Sequence, residues 1–441
     1  MIQLAQILFI LSVLVILHEF GHYIAAKIFK VRVEKFYLFM DAGFSLVKKK
    51  IGETEWGIGW LPLGGYVKLS GMIDESMDTE QMKQEAQPWE FRSKPAWQRL
   101  IIMLGGIIVN IVLAWLIYAS IYSTVGKKYI DTAVLQEKGL QFGEVGQLVG
   151  FKNGDKIVSV DGKFQENFNR MTMDILFSEE IKVDRNGEMV TLNLTDEQIG
   201  EILDKEGRNF ILPRTTGATI DSIAPKSGAA LAGLQKGDSI VSINGKKMTF
   251  FDEFTSEVGQ HKGSNVALVI ARNSKLDTLT TAVSAEGTLG ITVPQSIKDD
   301  YLITKKMSFG EAIPAAIKES WALLVYNVKS FKLILRPATG AYKQVKSPVG
   351  IARQLPDTWN WEFIWNFTAL FSIGLAFMNL LPIPGLDGGH ALFTIVEMIT
   401  GKTLSDKAAG YVQTAGMVIL LTLMAFTFGK DIFQLVADKF L

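Results

Sequence analysis

The sequence predicts a multi-pass α-helical membrane protein with four transmembrane helices and two tandem α/β domains outside the bilayer. Three observations carry that prediction. Of 441 residues, 48% are hydrophobic and only 20% charged, and the mean hydropathy of +0.22 is high for a soluble chain. The apolar residues fall in four long runs, and a ten-residue pattern recurs 83 residues later in the more polar stretch between the second and third runs. The 45 basic and 45 acidic residues cancel, which argues against a nucleic-acid partner held by a basic surface. Cysteine is absent, so disulfides, thiol nucleophiles, iron–sulfur clusters and cysteine-ligated zinc are excluded. A metal site must be built from His18, His22, His261 and His390 together with carboxylates.

A helix crosses a hydrocarbon core of roughly 30 Å with about 20 apolar residues. Residues 100–126, 363–386 and 408–429 reach that length without a charged side chain, and Ile2–Ile28 is apolar apart from Glu19, two histidines and Lys27. The first run has neither a basic leader nor a small-residue cleavage site, so a retained span over 1–28 is expected. Flanking charge sets the orientation. Lys27, Lys30, Arg32, Lys35, Arg92, Lys94, Arg99, Lys402 and Lys407 fall on one side, against Lys127, Lys128, Arg353, Lys430 and Lys439 on the other. That bias places the loop 29–99 and the connection 388–407 in the cytoplasm, with the termini and the segment 127–361 outside.

In the outer segment, Gly154-Asp155-Lys156-Ile157-Val158-Ser159-Val160-Asp161-Gly162-Lys163 recurs as Gly237-Asp238-Ser239-Ile240-Val241-Ser242-Ile243-Asn244-Gly245-Lys246. The offset fits two tandem domains, 127–213 and 214–296, rather than a solenoid. Each copy reads as a turn, an alternating apolar strand and an Asp-Gly or Asn-Gly hairpin signal. A short helix, Ala224 to Leu234, precedes the second copy, while the first is preceded by a Gly-rich segment with Gly143, Gly146 and Gly150. The pattern resembles PDZ domains, which implies either capture of an extended peptide at a sheet edge or service as a spacer or shield. Further on, 309–336 is apolar but carries Glu311, Lys318, Glu319, Lys329 and Lys332. That charge density predicts a membrane-surface helix, with its connector spanning 297–362. Residues 74–87 read as a solvated connector.

The chemistry concentrates in His18-Glu19-Phe20-Gly21-His22, an H-E-x-x-H motif. A four-residue spacing on a helix puts both imidazoles on one face, where they can chelate one ion, with Glu19 beside it to take a proton from water. Burying ionisable groups in a span costs about 2.5 kcal/mol or more on insertion scales, so their presence there predicts a function. A catalytic zinc needs a third protein ligand and one open position. Glu34 is the nearest acid, but Arg32 and Lys35 beside it favour a salt bridge. The stronger source is Asn379-Leu380-Leu381-Pro382-Ile383-Pro384-Gly385-Leu386-Asp387-Gly388-Gly389-His390, where two prolines break the third span. Broken backbone at membrane depth requires cover from protein or water, which predicts a cavity. His18 lies about 24 Å along its helix, on the side where Asp387 is expected to close the third span.

Together, His-Glu-Phe-Gly-His in the first span and Asn-x-x-Pro-x-Pro-x-Leu-Asp-Gly in the third, flanking tandem PDZ-like domains, resemble the site-2 protease family of intramembrane zinc metalloproteases over essentially the whole chain. The resemblance implies Zn2+ held by His18, His22 and Asp387, Glu19 as catalytic base, and Asn379 as a substrate-handling or oxyanion-stabilising residue. The family's Gly-rich stretch ending in Asn is matched by Gly105-Gly106-Ile107-Ile108-Val109-Asn110, where close helix packing is the first expectation and Asn110 a candidate for substrate contact. A family feature, a membrane-associated β-hairpin, is matched by Trp56 to Leu69, in which Gly64 and Gly65 would face an unwound substrate. His390 is expected to support the site without binding the metal, because a fourth protein ligand would close it. His261 is expected to be an exposed histidine of the outer domains.

The implied partners are the transmembrane helix of a single-span protein, membrane lipid and peptide ligands of the PDZ-like domains. The implied substrates are anti-sigma factors and remnant signal peptides in a bacterial cytoplasmic membrane, with the outer domains excluding intact ectodomains. The competing reading is a non-enzymatic membrane adaptor with structural histidines; bound zinc separates the two. A metal-dependent transporter is a weaker third reading, because only four spans and one ligand set are visible.

Overall fold

The computed structural model describes residues 2–62, 64–72, 84–205, 210–293, 301–402 and 406–440. Leu63 of the expected hairpin, most of the 74–87 connector and the end of the second outer domain lie outside the described residues. The chain divides into two compact units, one of residues 1–127, 305–332 and 344–441, the other of residues 128–304 and 333–343.

The first unit is built on helices α1 (Ile2–Ile28), α2 (Ala96–Thr124), α3 (Phe309–Ile334, entering the second unit at its end), α4 (Pro348–Ala352), α5 (Trp361–Leu380), α6 (Asp387–Thr400) and α7 (Asp406–Phe440). Among the described residues, four segments are long and apolar enough to cross a membrane: α1, α2, α5 and Gly410–Ala437 of α7. The central helix is α2, which packs on α1, α5 and α6. At its crossing with α1, Gly21 faces Gly105, and a Cβ on either would collide with the backbone of the other helix. Small residues thus let the two backbones approach closely, the packing mode open to helices that gain nothing from burying apolar surface against each other in lipid. Further along, Ala114, Tyr118, Ala369 and Ile373 bury Ala312 and Ala316 of α3, and the Phe331 ring lies 6.1 Å from that of Phe377. Many apolar side chains of α7, such as Val418, Ile419, Leu421, Phe426 and Phe433, are exposed.

The third span differs from expectation. Its helix stops at Leu380, and after the break at Leu381 to Leu386 the chain enters α6, which starts at Asp387. Pro382 and Pro384 have no N–H to continue the ladder, and Gly385 adopts φ +95°. The two prolines break the helix where the sequence expects it; the difference is that Asp387 opens a new amphipathic helix, where the last residue of the span and a plain connection were expected.

Between α1 and α2, strands β1 (Val33–Leu38), β2 (Met40–Ile51), β3 (Thr54–Leu61) and β4 (Tyr66–Leu69) form one sheet in the order β2-β3-β1-β4. The expected hairpin over Trp56 to Leu69 is therefore corrected. Its two halves, β3 and β4, do not pair with each other, because β1 lies between them, parallel to β3 and antiparallel to β4. Gly57 is the physical reason. It pairs with Tyr37, and a Cβ there would collide with the Tyr37 ring, so only a bare position accepts β1 alongside. The hairpin of this sheet joins β2 and β3 through Gly52, at φ +63°. Strand β4 is left on the edge, packed along α1.

In the second unit, β5 (Lys156–Val160), β6 (Ile181–Arg185) and β7 (Glu188–Leu192) form an antiparallel sheet over a helix, Phe168–Phe177, around Phe142, Phe151, Ile157, Met171 and Ile175. A second sheet, in the order β9-β8-β10-β11, contains β8 (Ser239–Ile243), β9 (Lys246–Lys247), β10 (Asn265–Arg272) and β11 (Lys275–Ala282), with a helix at Phe251–Gln260 and a core around Ile220, Ile240, Phe254 and Leu268. Both predicted turns have two successive positive φ angles, 48° and 74° at Asp161-Gly162 and 47° and 79° at Asn244-Gly245, as a tight hairpin turn of this hand requires. Buried Asp155 accepts from Arg185, and buried Asp238 accepts from Arg272.

Candidate metal centre

Helix periodicity places His18 and His22 on one face of α1, and the first turn of α6 brings Asp387 to meet them. The two Nε2 atoms lie 3.4 Å apart, and each lies 3.2 Å from Asp387 Oδ2. All three side chains are largely buried, and Asp387 Oδ2 has no hydrogen-bond partner. Atoms bound about 2.0–2.1 Å from a tetrahedral zinc stand about 3.3 Å from one another. The triangle of nitrogen, nitrogen and oxygen therefore has the edges and the chemistry of three sides of a zinc site, with an orphaned carboxylate oxygen that a cation would satisfy. His18, His22 and Asp387 are the one such donor group found among the described residues.

The supporting contacts come from α2 and α5. His22 Nδ1 donates to the Ile102 carbonyl at 2.8 Å, fixing that ring. His18 Nδ1 lies 3.2 Å from the Asn110 amide nitrogen and His18 Nε2 3.1 Å from that of Asn379. Gly106 makes room for both rings, since a Cβ there would lie 2.6 Å from His18 Nδ1 and 2.6 Å from His22 Nε2.

Glu19, also buried, opens with the triad onto a cavity of about 490 Å³. Gly64, Gly65 and the whole of β4 line the same cavity, as do Asn379 and His390. A Cβ on Gly65 would sit 3.2 Å from Glu19 Cγ, so the bare backbone runs directly beside the acid. Asn110 is different: it is fully buried, touches His18 and does not line the cavity. Glu34 accepts from Ser70 at 2.8 Å and pairs with Lys68. In the second unit His261 pairs with Asn244 and Glu257.

Several lining residues escape sequence reading. Asp41 accepts from Tyr66 at 3.0 Å on one wall, and Gln413 of α7 contributes another polar group. Gln413 carried a usable signal, a lone amide inside an apolar span. Asp41 and Tyr66 carried none, because strand order decides what they face.

With this geometry, the comparison with known proteins is decisive. Peptidase family M50 matches residues 6–423, and the chain belongs to that family. It is 28% identical to the Escherichia coli "Regulator of sigma-E protease RseP" over 98% of this chain and 99% of that protein. It is 27% identical to the Neisseria meningitidis protein named "Putative zinc metalloprotease NMA0084", with the same shares covered, and 28% identical to "Protease RseP" of Yersinia pestis, again over 98% and 99%. The chain is thus a membrane zinc metalloprotease of the site-2 type, and Zn2+ is its cofactor. The adaptor and transporter readings fall with that assignment.

Proposed function

We propose that His18 Nε2, His22 Nε2 and Asp387 Oδ2 hold the zinc, that Glu19 is the general base, and that the enzyme hydrolyses a peptide bond inside the transmembrane segment of a single-span protein. The observation that carries this reading is the 3.2–3.4 Å triangle of donor atoms beside Glu19 on one cavity. Zinc bound there supplies acidification of water and polarisation of the scissile carbonyl. The Glu19 carboxylate takes the proton of the attacking water and returns it to the departing amide nitrogen, so that water is added across one C–N bond. The Asn379 amide, 3.1 Å from His18 Nε2, is placed to donate to the carbonyl oxygen as negative charge builds on it.

A helical peptide bond is shielded by its own hydrogen bonds, so the substrate must be unwound before attack. Strand β4 supports that step: β1 occupies one of its edges, while the strand itself lines the cavity with Gly64 and Gly65 leading into it. An extended substrate added to the other edge would lie across Glu19.

The remainder of the reading concerns setting. The tandem outer domains are PDZ-like, supported by helices at Phe168–Phe177 and Phe251–Gln260 separated by the same 83 residues as the sequence pattern, and by matching Asp–Arg pairs. They screen out substrates with intact ectodomains. The relatives' names, regulators of sigma-E, support an anti-sigma factor as one substrate, with remnant signal peptides as another. The charge bias supports a bacterial cytoplasmic membrane, outer domains in the periplasm and the site toward the cytoplasm. Metal analysis of purified full-length protein tests the centre. About one zinc per chain is expected, lost in His22→Ala and in Asp387→Ala; an Asp387→Ala protein that keeps its zinc would remove Asp387 from the ligand set.

A further inference from the structure

We propose that Asn110 is a positioning residue that fixes the tautomer of His18 by accepting its Nδ1 proton through the side-chain oxygen. This rests on the assignment of His18, His22 and Asp387 as the zinc ligands. A neutral imidazole has one N–H donor and one lone-pair acceptor. Yet both ring nitrogens of His18 face an amide nitrogen, Asn379 Nδ2 at 3.1 Å from Nε2 and Asn110 Nδ2 at 3.2 Å from Nδ1. One neutral ring cannot accept from both, so one amide is turned the other way. Asn110 is the one, because its Oδ1 is buried with no hydrogen-bond partner. A half-turn of the amide exchanges oxygen and nitrogen without changing shape. It puts Oδ1 where Nδ2 stands, in reach of Nδ1–H, and removes the orphaned acceptor.

The consequence is chemical. With the proton held on Nδ1, the Nε2 lone pair points at the same place as His22 Nε2 and Asp387 Oδ2. His22 obtains the same service from the Ile102 backbone carbonyl, which any residue at 102 could supply. At His18 the acceptor is a side chain, so the identity of residue 110 matters. Helix α2 therefore orients both histidines, and Ser372 of α5 donates to the Asn110 carbonyl at 2.7 Å, tying a third helix to the same turn. Asn110 is fully buried and does not line the cavity, so its action passes through His18 and not through substrate.

The test is zinc affinity by chelator competition on detergent-purified full-length protein, with the visible spectrum of the cobalt-substituted form as a second readout. Asn110→Leu, of similar volume but with no acceptor, is expected to weaken zinc about 10–100-fold and alter the cobalt spectrum. Asn110→Asp keeps an acceptor oxygen and is expected to hold zinc at least as tightly as the wild type, which separates the role from mere packing. Wild-type affinity and an unchanged spectrum in Asn110→Leu would overturn the proposal, as would equal weakening in Asn110→Asp and Asn110→Leu. Should Asn110→Leu fail to fold, zinc held as tightly by Asn110→Asp as by the wild type supports the proposal, and weaker zinc binding by Asn110→Asp overturns it. A His22→Ala control tells the two levels apart: if it retains zinc, the ligand assignment itself fails, whereas if it alone loses zinc, only the role of Asn110 fails.

Discussion

At the scale of single residues, the site depends as much on what is missing as on what is present. Gly106 gives up a side chain so that two imidazoles can lie against α2. Gly106→Ala is expected to displace both rings and lower zinc occupancy at least tenfold under limiting metal, measured by atomic emission on purified protein. Gly374→Ala is the control, because a Cβ there meets nothing within 4 Å; full occupancy is expected. Equal occupancy in the two variants would contradict this account of Gly106. The H-E-x-x-H pattern was legible because ionisable groups in an apolar helix have a high insertion cost and because a four-residue spacing fixes their common face. Asn110 was legible as a position but not as a role. Which atom of a buried amide faces which ring nitrogen is set by three helices meeting, and no local pattern encodes it.

At the scale of elements, the sequence showed the helices and the proline break better than the helix that follows it, and the strands better than their order. Two prolines at 382 and 384 stop α5 within an unbroken apolar run, and β1 separates β3 from β4 because Gly57 admits the Tyr37 ring. A second polar tie in the membrane unit went unread. Asp431 of α7 accepts from both the backbone N–H and the hydroxyl of Ser347 at 2.6 Å, holding the residue whose hydroxyl caps α4. Asp431→Ala leaves two buried donors unpaired and is expected to cost about 1–3 kcal/mol for each, seen as a lower thermal unfolding temperature in detergent; no change would show that water replaces the carboxylate. In the second unit, the hydrogen bond from Arg272 holds the Asp238 carboxyl below the usual aspartate range. A folded-state pKa that is depressed adds stability above the unfolded value of about 3.9, and this is lost as pH falls through the folded value. Asp238→Asn should therefore flatten the acid side of the stability profile below about pH 4, and an unchanged profile would exclude the pair as its source.

At the scale of the whole molecule, the proposed ligands come from opposite ends of the chain. His22 and Asp387 are about 365 residues apart, so the donor group forms only when α1 and α6 both stand against α2. Composition could show that a metal site had to be poor in ligands, and topology could bring the two ends to one depth. That Asp387 opens a new helix after the break needed the fold. Screening by the outer domains predicts that replacing residues 128–304 with a short linker raises cleavage of a substrate with an intact ectodomain relative to a trimmed one; an unchanged ratio would mean that selection lies elsewhere. The central claim is tested most directly by comparing wild type and Glu19→Gln, loaded with equal zinc and reconstituted in vesicles, on a single-span substrate whose fragments are read by mass spectrometry. Wild type is expected to cut within the transmembrane segment, and Glu19→Gln to fold and hold zinc but cut about 10²–10⁴-fold more slowly. Cleavage by Glu19→Gln at the wild-type rate would contradict the account.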